Sequence, residues 1–421
     1  MKHPTAASLK KVTAENLGRL GAERLAELLV SAAETRPELK RRLRMELAAE
    51  QGADHLVAEV DRRLATLGAS RSRVSWRQRP TFVRDLDVLR LLIAERLAAL
   101  DGAAALDRMW SFMDLARQIG GRVKDRDGEL AAVFQRAVGD IGALMNGASD
   151  AWLAEALVEA MVKAPYVWAD WLPTLLGALP PAFAASALQL LAEQPGAAAG
   201  WIRLIRHLAD AAGDVDAYRA TYPADVLQNK AAAAEVGRRL LAAGRLAEAR
   251  LVLEGARAAE GAAPPGLGAA DDPDYQWESL WIDYLERSGD ADAAQAARWA
   301  SFERSLSVER AKAFTRRLTD FEDVVAEDRA FAYAAEHADA ARGLQFLMDW
   351  PALPQAARMI DDRVDVLQVP PEQTELWAAK LRPRYPAAAQ RLLRKAAAAA
   401  FHRRDFKTCD RLTQEADAIE G

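Results

Sequence analysis

The side chains best equipped for chemistry in this chain are a short run of arginines. Residues 68–80 read GASRSRVSWRQRP, which puts Arg71, Arg73, Arg77 and Arg79 within nine residues of one another, with Trp76 among them and Arg84 just beyond. Ser70, Ser72 and Ser75 add hydroxyl groups. Guanidinium forks bind phosphate through paired hydrogen bonds, and an indole can stack on a base or on a guanidinium. The segment is therefore a candidate phosphate or nucleic-acid site, extended by the face Lys40 to Arg44 if the two lie side by side. The plainer reading, and the preferred one on sequence alone, is different. In it the arginines cap helix C-termini and pair with Asp85, Asp87 and Glu95, while Trp76 packs into the core.

Other reactive groups lack the company that chemistry needs. His3, His55, His207, His337 and His402 are scattered, no two stand four residues apart, and HExxH is absent. Cys409 is the single cysteine, so an intramolecular disulfide and a cysteine-based zinc site are excluded, and a reducing, cytoplasmic setting is expected. A nucleophilic role for Cys409 would need an oriented base, and His402 lies across an expected helix break. Neither GxxxxGK[ST] nor GxGxxG occurs; Gly120-Gly121 before Arg122 and Lys124 resembles a phosphate loop in composition only. Asp271-Asp272 and Asp361-Asp362 read as helix caps or turn residues. We expect no catalytic residues, no metal and no cofactor.

Aromatic residues cluster at helical spacing: Tyr166, Trp168 and Trp171, then Tyr275, Trp277, Trp281 and Tyr284, then Trp299 and Phe302. Such ridges usually fill the space between helix layers, but they can also anchor a partner. The second cluster stands near Arg238, Arg239 and Arg245. A partner site is accordingly expected within 229–318, with Trp277, Trp281 and Tyr284 as anchors and the three arginines selecting an acidic or carboxylate-bearing segment.

These side chains must be carried by helices. The 421 residues are 51% hydrophobic and 28% charged, rich in Ala, Leu, Arg and Glu, and no alternating strand pattern is found. Net charge is −5, which excludes nucleic-acid binding by bulk electrostatics; yet residues 1–100 hold 19 Lys+Arg against 13 Asp+Glu, net +6. No apolar run is long enough for a membrane span or a signal peptide. Breaks every 12 to 20 residues predict short helices: Ala22–Glu34 with Leu25, Leu28, Leu29 and Ala32 inward, a second with Leu39, Leu43 and Leu47 inward, and a long one burying Leu86, Leu89, Ile93 and Leu97. GGRVKDRDG at 120–128 breaks a later pair.

The stretch EVGRRLLAAGRLAEARLVLEGA at 235–256 has Gly237, Ala249, Leu253 and Ala256 at offsets that let two antiparallel helices approach closely. It resembles the tetratricopeptide repeat. Partial copies lie at Trp277–Ser305 and around Arg404-Asp405, with Cys409 in the small-residue slot. The segments LKKVTAENLGRLGAERLAELL, LKRRLRMELAAE and SRSRVSWRQR, together with AARWASFERSLSVERAKAFTRRLTDFEDVVAEDRAF and FLMDWPAL, resemble a family of uncharacterised helical bacterial proteins. That resemblance implies an all-helical fold and a bacterial origin, and no activity. The fold expected is an all-α solenoid of stacked antiparallel helix pairs, tetratricopeptide-like in its C-terminal half. It divides into a basic helical region (1–147), a helical repeat region (148–260), a loop or hinge (261–274) and a second repeat region (275–421). The function expected first is a non-enzymatic scaffold or adaptor that binds a peptide or helix of a cytoplasmic protein. The alternative is a nucleic-acid-associated protein gripping phosphate with Arg71, Arg73, Trp76, Arg77 and Arg79.

Overall fold

The computed structural model describes residues 12–146, 152–194, 199–258, 273–319 and 321–419. His3, the Asp271-Asp272 pair and the expected hinge up to residue 272 lie outside the described residues. Within them the chain is helical throughout, with one isolated parallel bridge between Val74 and Val123 and no strand. It divides into two compact units, Met1–Thr221 and Tyr222–Gly421, so the division falls inside the stretch read as 148–260.

The first unit contains α1 (Ala14–Gly18), α2 (Ala22–Thr35), α3 (Pro37–Gln51), α4 (Ala53–Ala69) and α5 (Arg79–Leu91). A π-helical stretch (Leu92–Leu97) joins α5 to α6 (Ala98–Leu100). There follow α7 (Gly102–Asp114), α8 (Ala116–Gly120), α9 (Glu129–Asn146), α10 (Trp152–Lys163), α11 (Pro165–Leu176), α12 (Pro181–Ala192), α13 (Ala199–Ala212) and α14 (Val215–Ala220). The second unit contains α15 (Lys230–Ala242), α16 (Leu246–Ala258), α17 (Pro273–Arg287), α18 (Ala291–Ser305), α19 (Val308–Thr315), α20 (Glu322–Glu336), α21 (Ala340–Asp349), α22 (Leu353–Arg363), α23 (Pro371–Leu381), α24 (Pro386–His402) and α25 (Phe406–Asp417).

Punctuation in the sequence explains these limits. Proline opens α3, α11, α12, α23 and α24, where its missing N–H costs nothing. Side chains of Asp101, Asn229, Asp290, Asp339 and Asp405 accept hydrogen bonds from the first-turn amides of their helices. Gly244 and Gly289 supply the positive φ of the turns after α15 and α17. In each unit a helix packs on the next and also on the next but one, as α7–α9–α11–α13 do in the first and α15–α17 and α20–α22–α24 do in the second. That pattern is a stack of antiparallel helix pairs, the solenoid arrangement expected. Gly237 sits against Leu253, where a Cβ would meet Leu253 Cδ2 at 3.0 Å, and Ala249, Leu253 and Ala256 are buried. The close approach read from that spacing is therefore real.

The inward faces of the first helices differ from expectation. Leu86, Leu89, Ile93 and Leu97 are buried as predicted, but in α2 only Ala33 is buried, and Leu28 and Leu29 are exposed. In α3 the buried side chains are Met45, Ala48 and Ala49, while Leu47 is 64% exposed. Among the described residues α2 packs chiefly on α3, which covers only part of its leucine stripe. Asp361 and Asp362 are not caps; they lie in the last turn of α22, and Asp361 pairs with Arg391 at 2.6 Å.

Candidate functional site

The arginine-rich connector 70–78 runs from the end of α4 to the start of α5 and is held by its backbone. Val74 N–H donates to the Arg122 carbonyl at 3.1 Å, which forms the bridge to Val123. The Ser75 amide and hydroxyl donate to Gln78 Oε1 at 3.3 and 2.9 Å, closing a turn ahead of α5. The second loop, 121–128, is fixed in turn. Val123 is buried, Asp125 accepts from the Ala131 amide at 2.9 Å, and Gly128 takes a positive φ before α9. Arg122 donates to the Ser70 carbonyl at 2.8 Å, and Gln118 of α8 donates to the carbonyls of Gly68 and Ser70, so the end of α4 is satisfied from the second loop and the short helix before it. Arg79 donates to the Lys124 carbonyl at 3.3 Å and pairs with Asp127. Arg122 and Arg79 are thus the ties that lock two basic loops side by side.

The remaining cations are left over. Arg71, Arg73, Arg77, Lys124 and Arg126 are exposed, and none of the five has an ion pair or hydrogen bond from its side chain among the described residues. Trp76 is 77% exposed, with the Arg77 guanidinium 5.2 Å from its ring centroid. Between the loops lies a cleft of about 1060 Å³ lined by Arg73, Trp76, Arg79, Arg122, Lys124 and Arg126, with Asp127 its one carboxylate. A second hollow of about 500 Å³ on the other side of the connector shares Arg73, Val74 and Arg122.

The pairing expected on sequence for the connector arginines fails: Arg79 is paired, but with Asp127. Asp85 is taken by Arg41 at 3.1 Å and Arg63 at 2.5 Å. Asp87 is taken by Arg90 at 2.7 Å and Arg136 at 3.1 Å. Burial works to raise the Asp87 carboxyl, but Arg90 and Arg136 hold it below its ordinary value. Trp76 is not in the core either: the turn at Ser75 projects it from the loop. In 120–128 the sequence singles out Arg122 and Lys124 by composition only and does not mark Arg126; the two Arg-Val dipeptides, Arg73-Val74 and Arg122-Val123, meet at the bridge.

In the second unit the expected partner site is corrected. Trp277 is 5% exposed and donates its indole N–H to the Leu253 carbonyl at 3.2 Å; Tyr284 is buried and Trp281 half-buried. The three rings stack in series, Trp277 on Trp281 at 5.9 Å and Trp281 on Tyr284 at 5.2 Å. Trp277 and Tyr284 are thus packed between helices rather than exposed as anchors, and Trp281 keeps part of its ring at the surface. Arg238 and Arg239 both pair with Glu235, at 2.8 and 2.7 Å, and Arg245 pairs with Glu248 at 2.7 Å. Trp168, Trp299 and Phe302 are likewise buried, while Tyr166 is exposed. Cys409 is partly buried against the hydrophobic core of this unit. His55, His207, His337 and His402 sit apart, and no cluster of His, Cys, Asp and Glu suited to a metal occurs among the described residues. No helix among them is long and apolar enough to cross a membrane.

The structure thus defines an all-helical protein of stacked antiparallel helix pairs, with a basic cleft held between two inter-helix loops. The model of a family of unknown function (DUF6880) matches residues 7–201 and 197–405, and the chain belongs to that family. No curated protein matches it.

Proposed function

We propose that this protein binds nucleic acid, with the cleft between loops 70–78 and 121–128 as the grip on the phosphate backbone. The observation that carries the reading is three exposed cations without carboxylate partners, Arg73, Lys124 and Arg126, lining one cleft, with Arg71 and Arg77 likewise exposed and unpaired on the same connector. Unpaired cations at close quarters repel one another, and a polyanion relieves that repulsion while releasing its condensed counterions. The loops are also pre-ordered by Arg79, Arg122 and Gln118, so little conformational entropy is lost when phosphates dock. The test is fluorescence anisotropy with labelled oligonucleotides at about 0.15 M salt. Binding that weakens steeply with added salt is expected, and absence of binding by the intact protein overturns the reading.

A protein partner held by the stacked helices of the second unit is the other reading. It draws on the tetratricopeptide-like approach of Gly237 to Leu253. The two separate in affinity capture from cells with and without nuclease. Nuclease-sensitive capture supports the cleft, and nuclease-resistant capture of one protein, lost on disrupting the second unit alone, supports the scaffold.

A further inference from the structure

We infer that the cleft takes single-stranded nucleic acid, with one base stacked on the open face of Trp76; this rests on the nucleic-acid reading above. A tryptophan that is 77% exposed has no packing reason to be there, since burial of an indole is among the larger stabilising terms available to a side chain. Its neighbour Arg77 lies over the ring at 5.2 Å, a cation–π contact that holds the indole in one orientation and covers one face. The other face remains for a flat ligand. Trp76 also lines the larger cleft with Arg73, Lys124 and Arg126, so a base on the ring carries its flanking phosphates to unpaired cations. Every base presents a flat face, so this contact tolerates any sequence. A duplex hides those faces inside its stack. It can reach the cations but not the indole without unpairing, which costs a few kcal/mol.

The experiment compares the intact protein with W76A and W76F, using a fluorescein-labelled mixed-sequence single strand as RNA and as DNA, and the matching duplex, by anisotropy at fixed salt. W76A should weaken single-strand binding roughly 5- to 150-fold, W76F should recover most of it, and duplex affinity should be unaltered by either. Circular dichroism should show all three proteins equally folded, because the ring is exposed. If the parent binds single strand and duplex and W76A lowers neither, or lowers both alike, stacking is overturned while the phosphate grip stands. If the parent binds no nucleic acid at all, the grip itself fails and the stacking falls with it.

Discussion

The salt dependence of binding gives the most demanding measure of the cleft. Each phosphate contact by a cation adds about 0.7 to the slope of log affinity against log salt for a single strand. Three unpaired cations line the cleft and two more, Arg71 and Arg77, stand on the same connector, so a strand that engages all five should show a slope of about −3.5. The perturbation is the triple variant R73A/K124A/R126A, which removes three of the five and leaves Arg71 and Arg77. Its slope should fall to about −1.4. Between about 0.05 and 0.2 M salt the parent would then lose roughly 100-fold in affinity and the variant roughly 7-fold. None of the three side chains has a carboxylate to lose, so the melting temperature should stay within a few degrees. The assay is anisotropy titration across a salt series, with Tm measured by circular dichroism on the same samples. A variant slope equal to the parent's refutes the assignment of these cations to phosphate. A variant that melts far below the parent refutes the claim that they are structurally idle.

Four further outcomes follow from the packing. R79A should lower Tm and weaken binding together, because Arg79 ties the Lys124 carbonyl and Asp127 to the start of α5; unchanged stability would show that the tie is dispensable. R90A should cost about 3 kcal/mol in denaturant unfolding, since Arg90 is 6% exposed and its loss strands the half-buried Asp140 and leaves Asp87 with Arg136 alone, and a cost below 1 kcal/mol would contradict that account. G343A should cost about 2–3 kcal/mol, because a Cβ there runs into the rigid Ala334 carbonyl, whereas G237A should be near neutral, since the Leu253 side chain can yield and alanine gains helix propensity; equal effects would refute the distinction. Asp87 and Glu235 both titrate below their ordinary values under the pull of arginines, against burial that works the other way. Their contribution is therefore complete above the unfolded values near 4 and is lost as pH falls through the lower folded values, so the acid loss of Tm should shrink in D87N.

Helix limits were readable because prolines, aspartates and glycines act locally. Pro37, Asp290 and Gly289 do the same work wherever the stack places them. The Gly237–Leu253 approach was readable because small residues at fixed offsets have one use in a helix pair. What a single helix buries was less so. Leu28, Leu29 and Leu47 have the spacing of a core face, yet among the described residues they are exposed, and periodicity does not report how many neighbours a helix has. The same limit hid the role of Trp277 and Tyr284. Aromatic spacing is alike for a groove and for a layer, and only the indole N–H bonded to Leu253 decides between them. The cleft needed two loops about fifty residues apart in sequence, which no local pattern joins.

The distribution of charge in the first unit has a physical cause. Arg63 and Arg90 are largely enclosed; burial pushes the Arg63 guanidinium down, and Asp85 opposes that loss. An enclosed cation needs a carboxylate far more than an exposed one does, since an uncompensated buried charge is worth several kcal/mol and an exposed pair about 0–1 kcal/mol. Asp85 and Asp87 therefore go to the helix-borne arginines Arg41, Arg63, Arg90 and Arg136, and the connector arginines Arg71, Arg73 and Arg77 are left unmatched. The +6 excess of residues 1–100 is thereby not smeared over the surface. Much of it gathers on a loop that its own backbone bonds hold beside Lys124 and Arg126.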